Sequence, residues 1–510
     1  MKAFRFILTL CTMTIIALSY GQTKQQGKET KSATGYKMTT DIPPSITTPD
    51  SVKTSLGTLG FFDGFPDDAT VKKVYDYLDL QRGVQVFLTS LPAAWSYVTH
   101  AGFLTYGNDN QTVLLAESLL DSHSLILTAN TETVYCNVWL NTKDGPVVIE
   151  VPPHVLGIID DGWDRYVTDV GNAGPDRGKG GKYLLLPPGY KGEVPEGYFV
   201  TRSRTYGNLM FCRGFIINGD LRPAVENFKK NLHVYPLSMS ANQPAMKFVN
   251  ISGASFNMVY ASDASFFDQI AAVVREEPME AVDPETRGLL ASIGIRKDKP
   301  FSPDARMKGI LADAAAIGNA AGRTIAFSTR DPEAYLYPDS RWKECWVGND
   351  HEFSPGGVLN PDSRTLYFYP AFGISPALTA KMIGFGSHYI TTEHDATGRY
   401  LDGSKTYRLN LPPNVPAKDF WSLTVYDPQT RSMLQTDQRF PSAGSQKKDL
   451  IINPDKSVDV WFGPQPPSGR EVNWIQTIPG KGFWLMLRLY GPLEPWFDKT
   501  WRPGEVELVK

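Results

Sequence analysis

The sequence predicts an α+β protein in which two β-rich domains, antiparallel and sandwich- or jelly-roll-like, flank a helical subdomain. Three observations carry this expectation. The 44 glycines and 38 prolines are spread along all 510 residues, a surplus over ordinary usage that favours many turns between short strands. Towards both ends, short apolar or alternating segments lie between such turns, the pattern of strands. Between them, Asp-Pro and Ser-Pro pairs open segments of helical apolar spacing, as helix starts do.

Taken in order, the chain begins with Lys2 and Arg5 before an apolar stretch over 6–18, and Ser19-Tyr20-Gly21 supplies small residues at a cleavage site. This predicts a signal peptide over 1–21 and export to the periplasm or medium. Residues 22–50 are rich in Lys, Gln, Thr, Ser and Pro and read as a flexible leader. No second apolar run of ~18 residues follows, so no membrane span is expected after signal cleavage.

A β-rich domain is expected over 51–220, starting with a helix that Asp67 or Asp68 caps and that aligns Val71, Val74, Tyr75 and Leu78. Strands are predicted over 146–151, 182–186 and 198–200, each bounded by Gly or Pro. The subdomain over 221–394 is expected to be mixed and largely helical, with helices over 222–232 and 263–275 and starts at Asp283-Pro284, Ser302-Pro303 and Ser375-Pro376. After Ser302, Met307, Ile310, Leu311, Ala314 and Ile317 share one helical face, while 245–252 and 325–329 read as strand. A β-sandwich is expected over 395–510, with strands over 407–411, 421–426, 457–462 and 483–490.

Charge narrows the partners. Lys plus Arg number 51 against 54 Asp plus Glu, a net charge of −3, which argues against a broad nucleic-acid-binding surface. Once Cys11 leaves with the signal, Cys136, Cys212 and Cys345 allow at most one internal bridge, and their pairing stays open.

Four groups of residues invite a chemical reading. The Gly-rich run over 171–181 lacks the spacing of a phosphate cradle, so an ordered loop is expected and no nucleotide cofactor. His388, Glu393 and His394 are ligand types for a metal, but in no recognised spacing, and a turn before Gly398 explains them as well. The polar run Asn130-Thr131-Glu132-Thr133 precedes a strand, and Glu132 with Asp161, Asp164 or Asp169 could divide acid and base roles. Arg165, Arg202, Arg204 and Arg213 could then hold an anionic group, the alternative being turn caps and surface ion pairs. Finally, Trp421, Trp461, Trp474, Trp484, Trp496 and Trp501 crowd the C-terminal part, as a ligand platform or as core.

Two long motifs then become recognisable. The stretch 127–135 around Asn130-Thr131-Glu132-Thr133-Val134-Tyr135, the stretch 144–152, the block 174–183 and Arg202-Ser203 resemble the "domain of unknown function 1254" family. Phe420-Trp421-Ser422-Leu423-Thr424-Val425-Tyr426-Asp427, Asn473-Trp474-Ile475-Gln476-Thr477 and Arg488-Leu489-Tyr490-Gly491-Pro492 resemble its C-terminal partner, the "domain of unknown function 1214". Glu132 stands where the family pattern more often has Asp, which lengthens the reach. The resemblance implies a two-part β-rich fold with a helical subdomain, often in exported bacterial proteins, and no settled activity.

The leading expectation is an exported, hydrolase-like enzyme acting on a small or carbohydrate-like substrate. Glu132 would be its acid or base, with Asp164 or Asp169 as partner. Asn130, Thr133, Tyr135, Arg165, Arg202, Trp421, Trp474 and Arg488 would contact the substrate. The rivals are a non-catalytic periplasmic ligand-binding protein and an envelope scaffold that forms a homo-oligomer.

Overall fold

A computed structural model describes residues 40–509, so the signal peptide over 1–21 and most of the leader lie outside the described residues. The chain divides into two compact units, one up to Lys73 and one from Val74 onward. In the first, strands Ser51–Thr54, Gly57–Phe62 and Phe65–Pro66 form a small antiparallel sheet. Asp67 accepts the Thr70 N–H at 2.7 Å and so caps the helix Asp68–Thr89, while the Thr70 hydroxyl accepts the Gly60 N–H.

The second unit holds four sheets with mostly antiparallel pairing and a helical stretch between them. Thr133–Asn141 lies inside a six-stranded sheet, between Thr112–Leu115 and Gly207–Phe215, and Val155–Asp161 and Tyr166–Gly171 continue it. Side chains alternate along a strand, and here both faces are covered. Val134, Cys136, Val138 and Leu140 pack towards a four-stranded sheet built on Val147–Val151, Gly181–Leu186 and His233–Pro236. Tyr135 and Trp139 point the other way, into a core shared with helices.

The C-terminal half repeats this scheme. Trp484–Pro492 lies between Ser387–Thr392 and Ala417–Tyr426 in a five-stranded sheet. Leu485, Leu487 and Leu489 join a core with Tyr407–Leu411 and Val458–Gly463 of the last four-stranded sheet. Trp484 and Met486 face the opposite way and enter the same core as Tyr135 and Phe211. The outer faces of the two large sheets therefore converge on one interior region, closed off by Phe87, Trp95, Phe266 and Tyr369 from helices and their ends.

Strands form at 147–151, 181–186, 199–202, 407–411, 417–426, 458–463 and 484–492, close to expectation. Several helical readings need correction. A helix Leu91–Leu104 follows the first one directly, with Pro92 tolerated in its opening turn. The long helix is Ala305–Phe327, capped by Asp304 through the Met307 N–H rather than by Ser302. Its last turn occupies the place of the strand expected over 325–329. Small residues explain why the helix persists: Leu311, Ala314, Gly318, Gly322 and Ala326 form its buried stripe, and a Cβ on Gly318 or Gly322 would meet the Phe87 or Tyr369 ring. Ile317, expected on that face, stays 47% exposed. Ser375 precedes only a one-turn helix, Pro376–Thr379, and makes no capping bond.

The Gly-rich run closes around one carboxylate. Asp176 accepts the N–H groups of Gly171 and Gly180 and the Tyr183 hydroxyl, and Gly171, Gly178 and Gly180 supply the positive φ that the turns require. Cys136, Cys212 and Cys345 are all free and buried, with Cys136 directly opposite Cys212 in register. No helix among the described residues is long and apolar enough to cross a membrane.

Candidate active site

The strand Val155–Asp161 ends in a tight turn that gathers acids. Asp161 accepts the N–H groups of Trp163 and Arg165 and the Arg165 Nε at 2.9 Å, so its carboxylate knits the turn. The neighbouring strand bulges at Val167, opposite Ile159 and Asp160, while Asp160 keeps regular register with Leu209, and a positive φ of 52° at Asp164 turns the chain. Asp160 and Asp164 consequently bind adjacent backbone N–H groups: Asp164 Oδ2 accepts from Gly373 at 3.0 Å and Asp160 Oδ2 from Ile374 at 2.8 Å.

Both carboxyls are buried, and among the described residues Asp160 Oδ1 has no hydrogen-bond donor. Burial, reinforced by the neighbouring Asp164 charge, holds Asp160 well above the usual carboxylate range. Burial likewise lifts Asp164 to about 7. Two carboxylates this close resist ionising together, so the pair retains a proton near neutrality, and that proton also supplies the donor Asp160 lacks. Asp169, on the next strand, is lifted by burial to about 6, with the Tyr166 hydroxyl donating to it at 3.2 Å.

Asp164 opens onto a cleft of 330 Å³ whose wall includes Trp163, Arg165, Arg204, His351 and Arg364. Arg165 is committed to Asp161 and to the Ala281 carbonyl. Arg364 differs: its guanidinium makes no hydrogen bond or ion pair among the described residues, and burial lowers its proton affinity. A buried proton donor at the wall and an uncommitted guanidinium in the same cleft are the parts of a polar substrate site.

The other expected site residues scatter. Glu132 is buried, but it accepts from the Thr131 N–H and hydroxyl, at the far end of the strand from this cleft. Asn208 pairs with both Leu140 and Asp161, so Glu132 lies eight residues along the strand direction from Asp161, roughly 25 Å at strand rise. Glu132 and Asp164 are therefore no acid–base pair. Arg202 is exposed and donates to the Tyr190 carbonyl. Trp421, Trp484, Trp496 and Trp501 are buried in cores, and half-buried Trp474 donates to the Gly463 carbonyl beside Trp461. None of the six lines the Asp164 cleft, and four of them serve as core.

Of the metal candidates, Glu393 and His394 stay together while His388 is engaged elsewhere. Glu393 pairs with the buried Lys343 at 2.8 Å and with His394 at 2.9 Å, while His388 contacts the Ala380 carbonyl and burial lowers its pKa to about 4. Among the described residues, no three His, Cys, Asp or Glu side chains gather as a metal site would require.

Asn130, Thr133, Tyr135 and Arg488 do come together, at the junction of the two large sheets. Asn130 Nδ2 donates to the Tyr490 hydroxyl at 2.7 Å, its Oδ1 accepts from Thr133, and its N–H reaches the Tyr135 hydroxyl. Tyr426 donates to the Ala129 carbonyl and Arg488 to that of Thr128. Asp160 and Arg364 were not anticipated. The trace available for Asp160 was the density of acids in Asp160-Asp161-Gly162-Trp163-Asp164.

The fold and cleft define a class: an α+β protein of two β-rich halves joined at a buried polar junction, with a cleft of mixed charge at one side. Residues 110–236 match the family described as "Protein of unknown function (DUF1254)" and residues 386–494 the one described as "Protein of unknown function (DUF1214)", so the chain carries these two domains in that order. The VPA0106 protein from Vibrio parahaemolyticus is 18% identical, with a TM-score of 0.53 over 85% of this chain and 100% of its own, a likeness of fold alone. An uncharacterized protein from Burkholderia cenocepacia is 12% identical over 87% of this chain and 97% of its own, with a TM-score of 0.40. No curated protein matches.

Proposed function

We propose that the protein is a hydrolase-like acid–base enzyme acting on a small, polar or carbohydrate-like substrate in the Asp164 cleft. The observation that carries this reading is the buried Asp160–Asp164 pair, raised in proton affinity, of which Asp164 lines a 330 Å³ cleft. Ionised Asp164 takes a proton from water, the hydroxide adds to the substrate, and the protonated carboxyl returns that proton to the leaving oxygen. Burial sets the high proton affinity of Asp164, and a hydrogen bond with Asp160 tempers it. Arg364 orients a polar or anionic substituent of the substrate.

The reading includes export through the signal over 1–21 and a pair of β-sandwiches. The core clusters shared between sheets in each half support the second point. The test is a screen of small esters, amides and glycosides on the mature chain, comparing wild type with Asp164→Asn. The expected result is at least one turnover that Asp164→Asn reduces by about 100-fold or more without loss of fold. Equal activity in the variant removes Asp164 from the mechanism.

A further inference from the structure

The junction between the DUF1254 and DUF1214 regions contains two guanidiniums that lack a counter-charge among the described residues. Arg213 lies directly opposite Tyr135 in the six-stranded sheet, and Arg488 lies directly opposite Tyr389 in the five-stranded sheet. Arg488 is 2% exposed. Among the described residues neither makes an ion pair, although arginine stays charged in any protein interior.

Their neutral partners are few. Arg213 donates to the Tyr389 hydroxyl at 3.0 Å and lies over the Phe211 ring at 5.0 Å. Arg488 donates to Thr424 and to the Thr128 carbonyl, and lies over the Tyr389 ring at 5.2 Å. Each guanidinium carries five donors, so most of this capacity is unspent. Ring faces attract a cation, but they do not cancel its charge.

The unspent donors face space. A cavity of 30 Å³ is lined by Arg213, Arg488, Tyr135, Tyr367 and Tyr389. A neighbouring lobe of 20 Å³ shares Ile158, Phe211, Leu378 and Arg213 with it and adds Leu156. Each lobe exceeds the room one water needs. Asp169 is the carboxyl in this lining, and it pairs with neither arginine. One end of the space is therefore cationic and rich in hydroxyls, and the other is largely apolar.

We propose that this cavity binds a short-chain organic carboxylate, its carboxylate on Arg213 and Arg488 and its short apolar body between Leu156, Ile158, Phe211 and Leu378. A carboxylate matches the planar fork of a guanidinium, and the apolar lobe disfavours a fully hydrated anion such as phosphate. The site is separate from the Asp164 cleft, and its two arginines come one from each family domain.

The test is thermal shift and calorimetric titration of the mature chain with propionate, acetate, phosphate and chloride at equal ionic strength. Propionate and acetate are expected to raise Tm saturably, phosphate and chloride to leave it unchanged, and Arg213→Gln to abolish the response. Should Arg213→Gln fail to fold, Tyr389→Phe decides. It removes only the hydroxyl that holds Arg213 and is expected to weaken propionate binding by about 5-fold, close to one hydrogen bond. No response to either carboxylate overturns the proposal, as does an equal response to phosphate or chloride. A wild-type affinity in Arg213→Gln or Tyr389→Phe also overturns it.

Discussion

Arg213 donates to the Tyr389 hydroxyl at 3.0 Å, a bond between two sheets whose strands lie 176 residues apart in the chain. It belongs to a set of contacts across the same junction, including Asn130 with Tyr490 and Tyr426 with the Ala129 carbonyl. Residues that read in the sequence as two separate motifs thus form one buried polar network. Such networks rigidify an interior when every member is satisfied.

The network makes Tyr490→Phe informative. The substitution leaves Asn130 Nδ2 buried without its acceptor at 2.7 Å. An unsatisfied buried donor costs about 1–3 kcal/mol. Urea unfolding is expected to show a loss of that size with an unchanged slope.

Two glycines of the helix Ala305–Phe327 should respond with opposite signs to Ala. At Gly318 the new Cβ would lie 2.6 Å from Phe87 Cγ, whereas at Gly309 nothing lies within 4 Å. Overpacking costs about 1–3 kcal/mol, against a helix-propensity gain of about 1 kcal/mol. Gly318→Ala is therefore expected to lower Tm and Gly309→Ala to raise it.

The raised carboxyls set the sign of the pH dependence. Asp164 and Asp169 bind protons more tightly folded than unfolded, with native values of about 7 and about 6. Their contribution to stability is full below the unfolded value near 3.9 and is lost as pH rises through those native values. Stability is expected to fall from about pH 4 towards pH 7 through these groups. Asp164→Asn keeps an oxygen for the Gly373 N–H and should flatten this fall, by an amount on the order of a few kcal/mol at neutral pH.

The thiols should be inert in the native state. Burial pushes Cys212 and Cys345 up to about 12 and Cys136 well above the thiol range. Alkylation is expected to label none of the three before unfolding and all three after it. Fast labelling of any one of them in the folded protein would contradict the packing described.

The strands were legible because Gly and Pro bound them and because their apolar patterns are short. Thr133–Asn141 shows why alternation alone would mislead: both faces are buried, one by a sheet and one by helices, so the strand carries no solvent stripe. The 325–329 error has a packing cause, since Gly322 and Ala326 extend the helix where Ile325 suggested a strand. Within the site, Asp164 and Arg165 were visible as an acid-rich turn next to a base. Asp160 was not, because the turn at Asp164 and the distant Gly373-Ile374 backbone that both carboxylates bind leave no trace in the local pattern. Glu132 misled for the converse reason. A local cluster of polar residues before a strand looks the same whether it lines a cleft or ties two domains together.

The proton held between Asp160 and Asp164 is the feature on which the acid–base reading stands. Infrared difference spectra between wild type and Asp164→Asn, recorded from about pH 4 to about pH 9, report it directly. The expected result is a protonated-carboxyl band that survives past pH 6 and fades near 7, and that Asp160→Asn shifts. A band that has vanished by about pH 5, as for an ordinary aspartate, would contradict it.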